Sequence, residues 1–69
     1  MIAEILGSVG ISAEEFEDSI ETCRMLVDSG DTPGIAANKE WLRYFRIGRV
    51  KRTDRMARRD FRIAIKETI

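Results

Sequence analysis

The chain has 69 residues, with 12 Lys and Arg balancing 12 Asp and Glu, one cysteine and no histidine. A length this short allows one small domain, residues 1–69, whose core is worth only about 3–5 kcal/mol unless the chain is stapled or oligomeric. A single cysteine excludes an internal disulfide, and without histidine the chain lacks both the commonest zinc ligand and the usual catalytic base.

Met1 to Ile11 sets Ile2, Ile5, Leu6 and Val9 at helical spacing and is stopped by Gly10, which predicts a short N-terminal helix or packed arm. Ser12 followed by Glu15 is a capping-box pattern, in which each side chain can satisfy the other's backbone amide, so a helix should start at Ala13 and run to about Ser29. On its wheel Phe16, Ile20, Cys23 and Val27, with Leu26 alongside, take one face. The carboxylates Glu14, Glu17, Asp18, Glu21 and Asp28 take the other. Acids early in a helix also suit the positive end of its dipole, and Gly30 fits the position just past its end.

Asp31-Thr32-Pro33 combines a cap with a proline preorganised for the first helical position, and predicts a second helix from Pro33 to Arg46. Its apolar arc, formed by Ile35, Ala37, Trp41, Leu42, Tyr44 and Phe45, covers about half the circumference and marks it as the central element; Lys39, Glu40, Arg43 and Arg46 fill the rest. Between Ile47 and Thr53 the choice lies among a loop, a turn of strand and a helix continuing to residue 68. Arginines at 43, 46, 49, 52, 55 and 58 would drift by about 60° per step on a straight helix and wrap around it, so a break near Gly48 is favoured because it restores a clean basic face.

The last stretch, Asp54 to Ile69, sorts Arg55, Arg58, Arg59, Arg62 and Lys66 onto one stripe and Ala57, Phe61, Ala64, Ile65 and Thr68 onto the opposite one. Phe61, Ile63 and Ile65 also alternate as a strand would, but that pattern covers only the last third and leaves Met56 to Asp60 unexplained. The fold expected is therefore all-α: a small bundle or hairpin of about three helices, comprising the short N-terminal helix, an acidic amphipathic helix, a central apolar helix and a basic C-terminal one.

The neutral total hides a division. Residues 1–34 hold eight acids against Arg24, a net −7, and residues 35–69 hold eleven Lys and Arg against four acids, a net +7. With apolar stripes turned inward, both charged stripes face outward. Catalysis is not expected, since Cys23 falls on an apolar face and the carboxylates form a row rather than a facing pair. No cofactor, metal or small-molecule substrate is implied.

Two binding functions fit. The first is a regulator, adaptor or inhibitor acting by protein contact, with Trp41, Tyr44, Arg43 and Arg46 on one side and the acidic face of Glu14, Glu17, Asp18 and Glu21 on another. The alternative is nucleic-acid binding through Arg55, Arg58, Arg59, Arg62 and Lys66, the first three beside first-turn amides that could grip a phosphate. A helix-turn-helix can be drawn with its turn near Gly10, where the reading helix would be the acidic one, or with its turn at Gly30 to Pro33, offering Lys39, Arg43 and Arg46. The small core makes a homodimer a natural expectation. No apolar run is long enough to span a membrane and no basic region precedes the N-terminal apolar residues, so a cytoplasmic setting is expected.

Overall fold

The computed structural model describes Gly7, residues 9–51 and residues 53–69. Its helices are α1 (Ala13–Asp28), α2 (Pro33–Arg46) and α3 (Arg55–Thr68), with no strand among the described residues. Of the short N-terminal helix or packed arm predicted over residues 1–11, residues 1–6 and 8 lie outside the described residues; Gly7 and Val9 are helical, Gly10 turns with a φ of 85°, and Val9 and Ile11 are buried in the core.

Each start follows from a side chain that satisfies amides the helix cannot reach. Ser12 Oγ accepts from the Glu15 amide at 3.1 Å and Glu15 Oε1 accepts from the Ser12 amide at 3.0 Å, the reciprocal pair expected of a capping box. Thr32 Oγ1 takes the Ile35 amide behind Pro33, and Asp54 Oδ1 takes the Ala57 amide of α3. The ends of α1 and α2 share one device. The Gly30 and Asp31 amides donate to Val27 O and Leu26 O, and the Gly48 and Arg49 amides donate to Phe45 O and Tyr44 O. Both are Schellman closures, and both glycines have positive φ, 113° and 79°. Gly48 thus turns the chain out of α2, which is why the arginines at 43 to 58 do not lie on one continuous helix.

The helices run up, down and up. Tyr44 reaches back to Ser19 and Glu15, which sets α2 antiparallel to α1. The Lys66 side chain lies over Gly34 while Ala57 and Asp54 sit beside Trp41 and Gly48, which sets α3 antiparallel to α2. Packing is closest between α2 and α3 and lightest between α1 and α3. Phe61, with no exposed surface, is the hub: its ring meets Phe16 of α1 edge-on at 6.3 Å, and Trp41 and Tyr44 of α2 at 5.6 and 5.8 Å.

The interior face of α2 is narrower than its apolar arc and rotated from it. Ala36, Ala37, Glu40, Trp41 and Tyr44 are buried, whereas Ile35, Leu42 and Phe45 are exposed. Two alanines let the helices approach closely, and Glu40, assigned by the wheel to the polar side, is 4% exposed. Its carboxylate is held by a two-point grip from Arg43, Nε to Oε2 at 3.1 Å and Nη2 to Oε1 at 3.0 Å, so the buried charge keeps a partner that reaches water.

Candidate functional surface

Trp41 and Tyr44, predicted as partner contacts, are 2% and 1% exposed and belong to the core. The reason is the hub: a chain with few large side chains spends its biggest rings around Phe61. The Tyr44 hydroxyl donates to Glu15 O at 2.8 Å and therefore receives the Ser19 hydroxyl proton across 2.6 Å. Burial raises the Tyr44 pKa above its ordinary value, and the Ser19 hydrogen bond only partly opposes this. Trp41 Nε1 is buried with no hydrogen-bond partner among the described residues. Cys23 is fully buried, and desolvation, reinforced by the Glu40 charge, pushes its thiol up to about 11, which leaves it protonated and unreactive at neutral pH.

The predicted charged residues divide into tied and untied groups. Arg43 is committed to Glu40, and Lys39 to Asp31 at 2.7 Å. Both are basic residues of the second helix-turn-helix arrangement, of which only Arg46 is without an ion pair among the described residues. Glu14, Glu17, Asp18 and Glu21 are exposed along the outer side of α1. Arg55, Arg58 and Lys66 are exposed and Arg62 half-buried on α3, none in an ion pair among the described residues, while Arg59 reaches Asp60 at 3.4 Å.

At the start of α3, the site of the predicted anion grip, the Asp54 carboxylate takes up part of the first turn. Asp54 places its carboxylate on the Ala57 amide and its carbonyl on the Arg58 amide, and the Arg55 amide turns back to Thr53 O. An incoming phosphate there would meet a carboxylate.

Acidic and basic halves meet at two described ion pairs, Lys39 with Asp31 and Arg49 with Glu15. Arg49 grips Glu15 through Nη1 to Oε2 at 2.6 Å and Nη2 to Oε1 at 2.9 Å, and Nη2 also reaches Gly10 O at 3.2 Å. The Ser12 amide, ahead of Arg49, holds the Glu15 carboxyl below its ordinary pKa. This contact clips the loop after α2 to the start of α1 and leaves the outer carboxylates of α1 facing solvent.

The position of the free cations follows from helical geometry. At about 100° per residue, the positions of α2 pass from Ala36 and Glu40, through Tyr44 and Ala37, to Trp41, and then to Phe45, Asn38, Leu42 and Ile35. Those of α3 pass from Ala57 and Phe61, through Ile65, to Arg58, Arg62, Arg55 and Lys66. Tyr44 and Glu40 face α1, whereas Trp41 faces Phe61 of α3. Because α2 and α3 are antiparallel, both progressions end on the same side of the pair, the side away from α1, and Lys66 lying 3.5 Å from the space above Gly34 fixes that sense. The face of the hairpin that no described residue covers therefore carries two parallel rows, an apolar one from α2 and a cationic one from α3.

Surface concavities elsewhere are shallow. One of about 320 Å³ lies between Trp41, the Gly48 to Lys51 loop and Asp54, and one of about 310 Å³ between Arg24, Val27, Pro33 and Ile69. No group of His, Cys, Asp and Glu suited to a metal ion occurs among the described residues, and no described helix is long and apolar enough to cross a membrane. No family model, curated protein sequence or solved structure matches the chain.

Proposed function

We propose that the chain is a small non-enzymatic regulator, adaptor or inhibitor that acts by protein contact through the α2/α3 face turned away from α1. The observation that carries this is the apolar row on that face: Ile35 and Leu42 are 49% and 45% exposed, one heptad apart, with Phe45 and Asn38 in line. A single exposed leucine needs no explanation, but a row at coiled-coil spacing on a chain with so small a core is the kind of surface that a partner covers. The buried free thiol suits a reducing, cytoplasmic setting.

The test uses immobilised chain and native cell lysate. Ile35→Glu and Leu42→Glu, both on the surface, should abolish capture while leaving the helical circular dichroism spectrum and Tm unchanged; capture of the same proteins by these variants overturns the proposal.

One observation favours a second function, nucleic-acid binding: Arg55, Arg58, Arg62 and Lys66 form a row without carboxylate partners among the described residues. Retention on duplex and single-stranded oligonucleotides across a salt series tests it, since phosphate contacts weaken steeply with salt and Arg58→Ala with Arg62→Ala should reduce the slope. Absence of binding at low salt removes it.

A further inference from the structure

We infer that the partner of the α2/α3 face is an amphipathic helix whose apolar stripe is bordered by Asp and Glu, lying along the hairpin opposite α1 as a fourth helix. This rests on the protein-contact function proposed above and names the chemistry of the partner. The two rows have different needs. Ile35, Leu42 and Phe45 ask for side chains that exclude water, and the adjoining Arg58, Arg62 and Lys66 ask for carboxylates within reach of their guanidinium and ammonium groups. A helix with apolar residues at i, i+3 or i+4, and i+7, and acids along one flank, meets both at once.

Other occupants meet only one. A nucleic-acid duplex would neutralise the cations but leave the apolar row against phosphate and water. A second copy laid face to face, with its α2 antiparallel, would set its own arginine row on this one, and like charges so placed cost affinity. A second copy presenting its α1 would bring Glu14, Asp18 and Glu21 to the cations, but the large apolar side chain on that outer side is Met25 alone, too little to cover Ile35, Leu42 and Phe45.

The experiment is a selection of displayed helical peptides, about 20 residues or some 30 Å long, randomised on all faces, against the full chain at low salt. Enriched peptides should combine an apolar stripe with carboxylates on one flank. Their affinity should fall at least about ten-fold on the Leu42→Glu chain and on the doubly substituted Arg58→Glu, Arg62→Glu chain. Replacing the flanking Asp and Glu of a selected peptide by Lys should restore binding to that double variant, a rescue that a merely structural role for the arginines would not give. Enriched helices without acidic bias, or affinity unmoved by the charge reversal, would sink the acidic partner while leaving protein contact through Leu42 standing. If no peptide is enriched and a duplex oligonucleotide binds instead, both fall. Self-association in sedimentation that is lost in Leu42→Glu would assign the face to a second copy and overturn the inference.

Discussion

The Tyr44 hydroxyl has one proton, and it goes to the Glu15 carbonyl, so the fully buried Ser19 hydroxyl depends on Tyr44 as its acceptor. Tyr44→Phe keeps the ring against Phe61 but strands that hydroxyl, and urea denaturation should show a loss of about 1–3 kcal/mol. Adding Ser19→Ala removes the stranded group, so the double variant should be more stable than Tyr44→Phe alone. The same neighbourhood limits the chain at high pH. Cys23 and Tyr44 both have folded-state pKa values raised mainly by burial, so each binds its proton more tightly when folded. The Cys23 contribution is complete below its unfolded value of 9.0 and is lost as pH rises toward its folded value of about 11, while that of Tyr44 is complete below 10.0 and is lost at higher pH. Stability measured against pH should therefore fall above about pH 9, and Cys23→Ala should shift the start of that decline upward, toward the range set by Tyr44 alone.

Among the elements, the helix boundaries were legible because caps are written in adjacent residues: Ser12 with Glu15, Thr32 with Pro33, Gly30 after α1. Gly48 was legible only as an interruption, since its closure of α2 depends on carbonyls at Phe45 and Tyr44 that no local pattern marks. The glycines make this testable. Gly48 has φ of 79° with open space where a side chain would stand, so Gly48→Ala meets only backbone strain and should cost about 1–2 kcal/mol by thermal denaturation. Gly34 lies in the first turn of α2 with only the Lys66 side chain near, at 3.5 Å, so Gly34→Ala should stabilise by about 0.4–1 kcal/mol. Opposite signs for two glycine-to-alanine changes would distinguish the closing turn from the helix that precedes it.

At the level of the whole molecule, α1 and α3 were oriented correctly by their stripes because most of the apolar residues of each lie on one side, despite the exposed Met25 of α1 and Met56 and Ile63 of α3, whereas α2 was not, because apolar residues occur around so much of its circumference. A wheel cannot decide which of two apolar arcs turns inward. Tertiary packing decides it: the small Ala36 and Ala37 admit neighbouring backbones, Trp41 and Tyr44 reach Phe61, and Ile35 and Leu42 are turned out with the candidate surface. Nor could the wheel foresee that Glu40 would turn inward with the exposed Arg43 as its partner, while Arg55, Arg58, Arg62 and Lys66 of α3 are in no ion pair among the described residues. Two substitutions separate the arcs. Phe61→Ala removes the ring on which all three helices converge, at a cost of about 3–5 kcal/mol. That is comparable to the whole stability expected at this size, so the variant should lose its helical circular dichroism signal at ambient temperature. Leu42→Glu removes an equally apolar side chain from the outer row, where 45% of its surface already faces water, and should cost far less, about 0.5 kcal/mol. If Leu42→Glu instead unfolds the chain and Phe61→Ala is tolerated, α2 is rotated the other way and the two-row face does not exist.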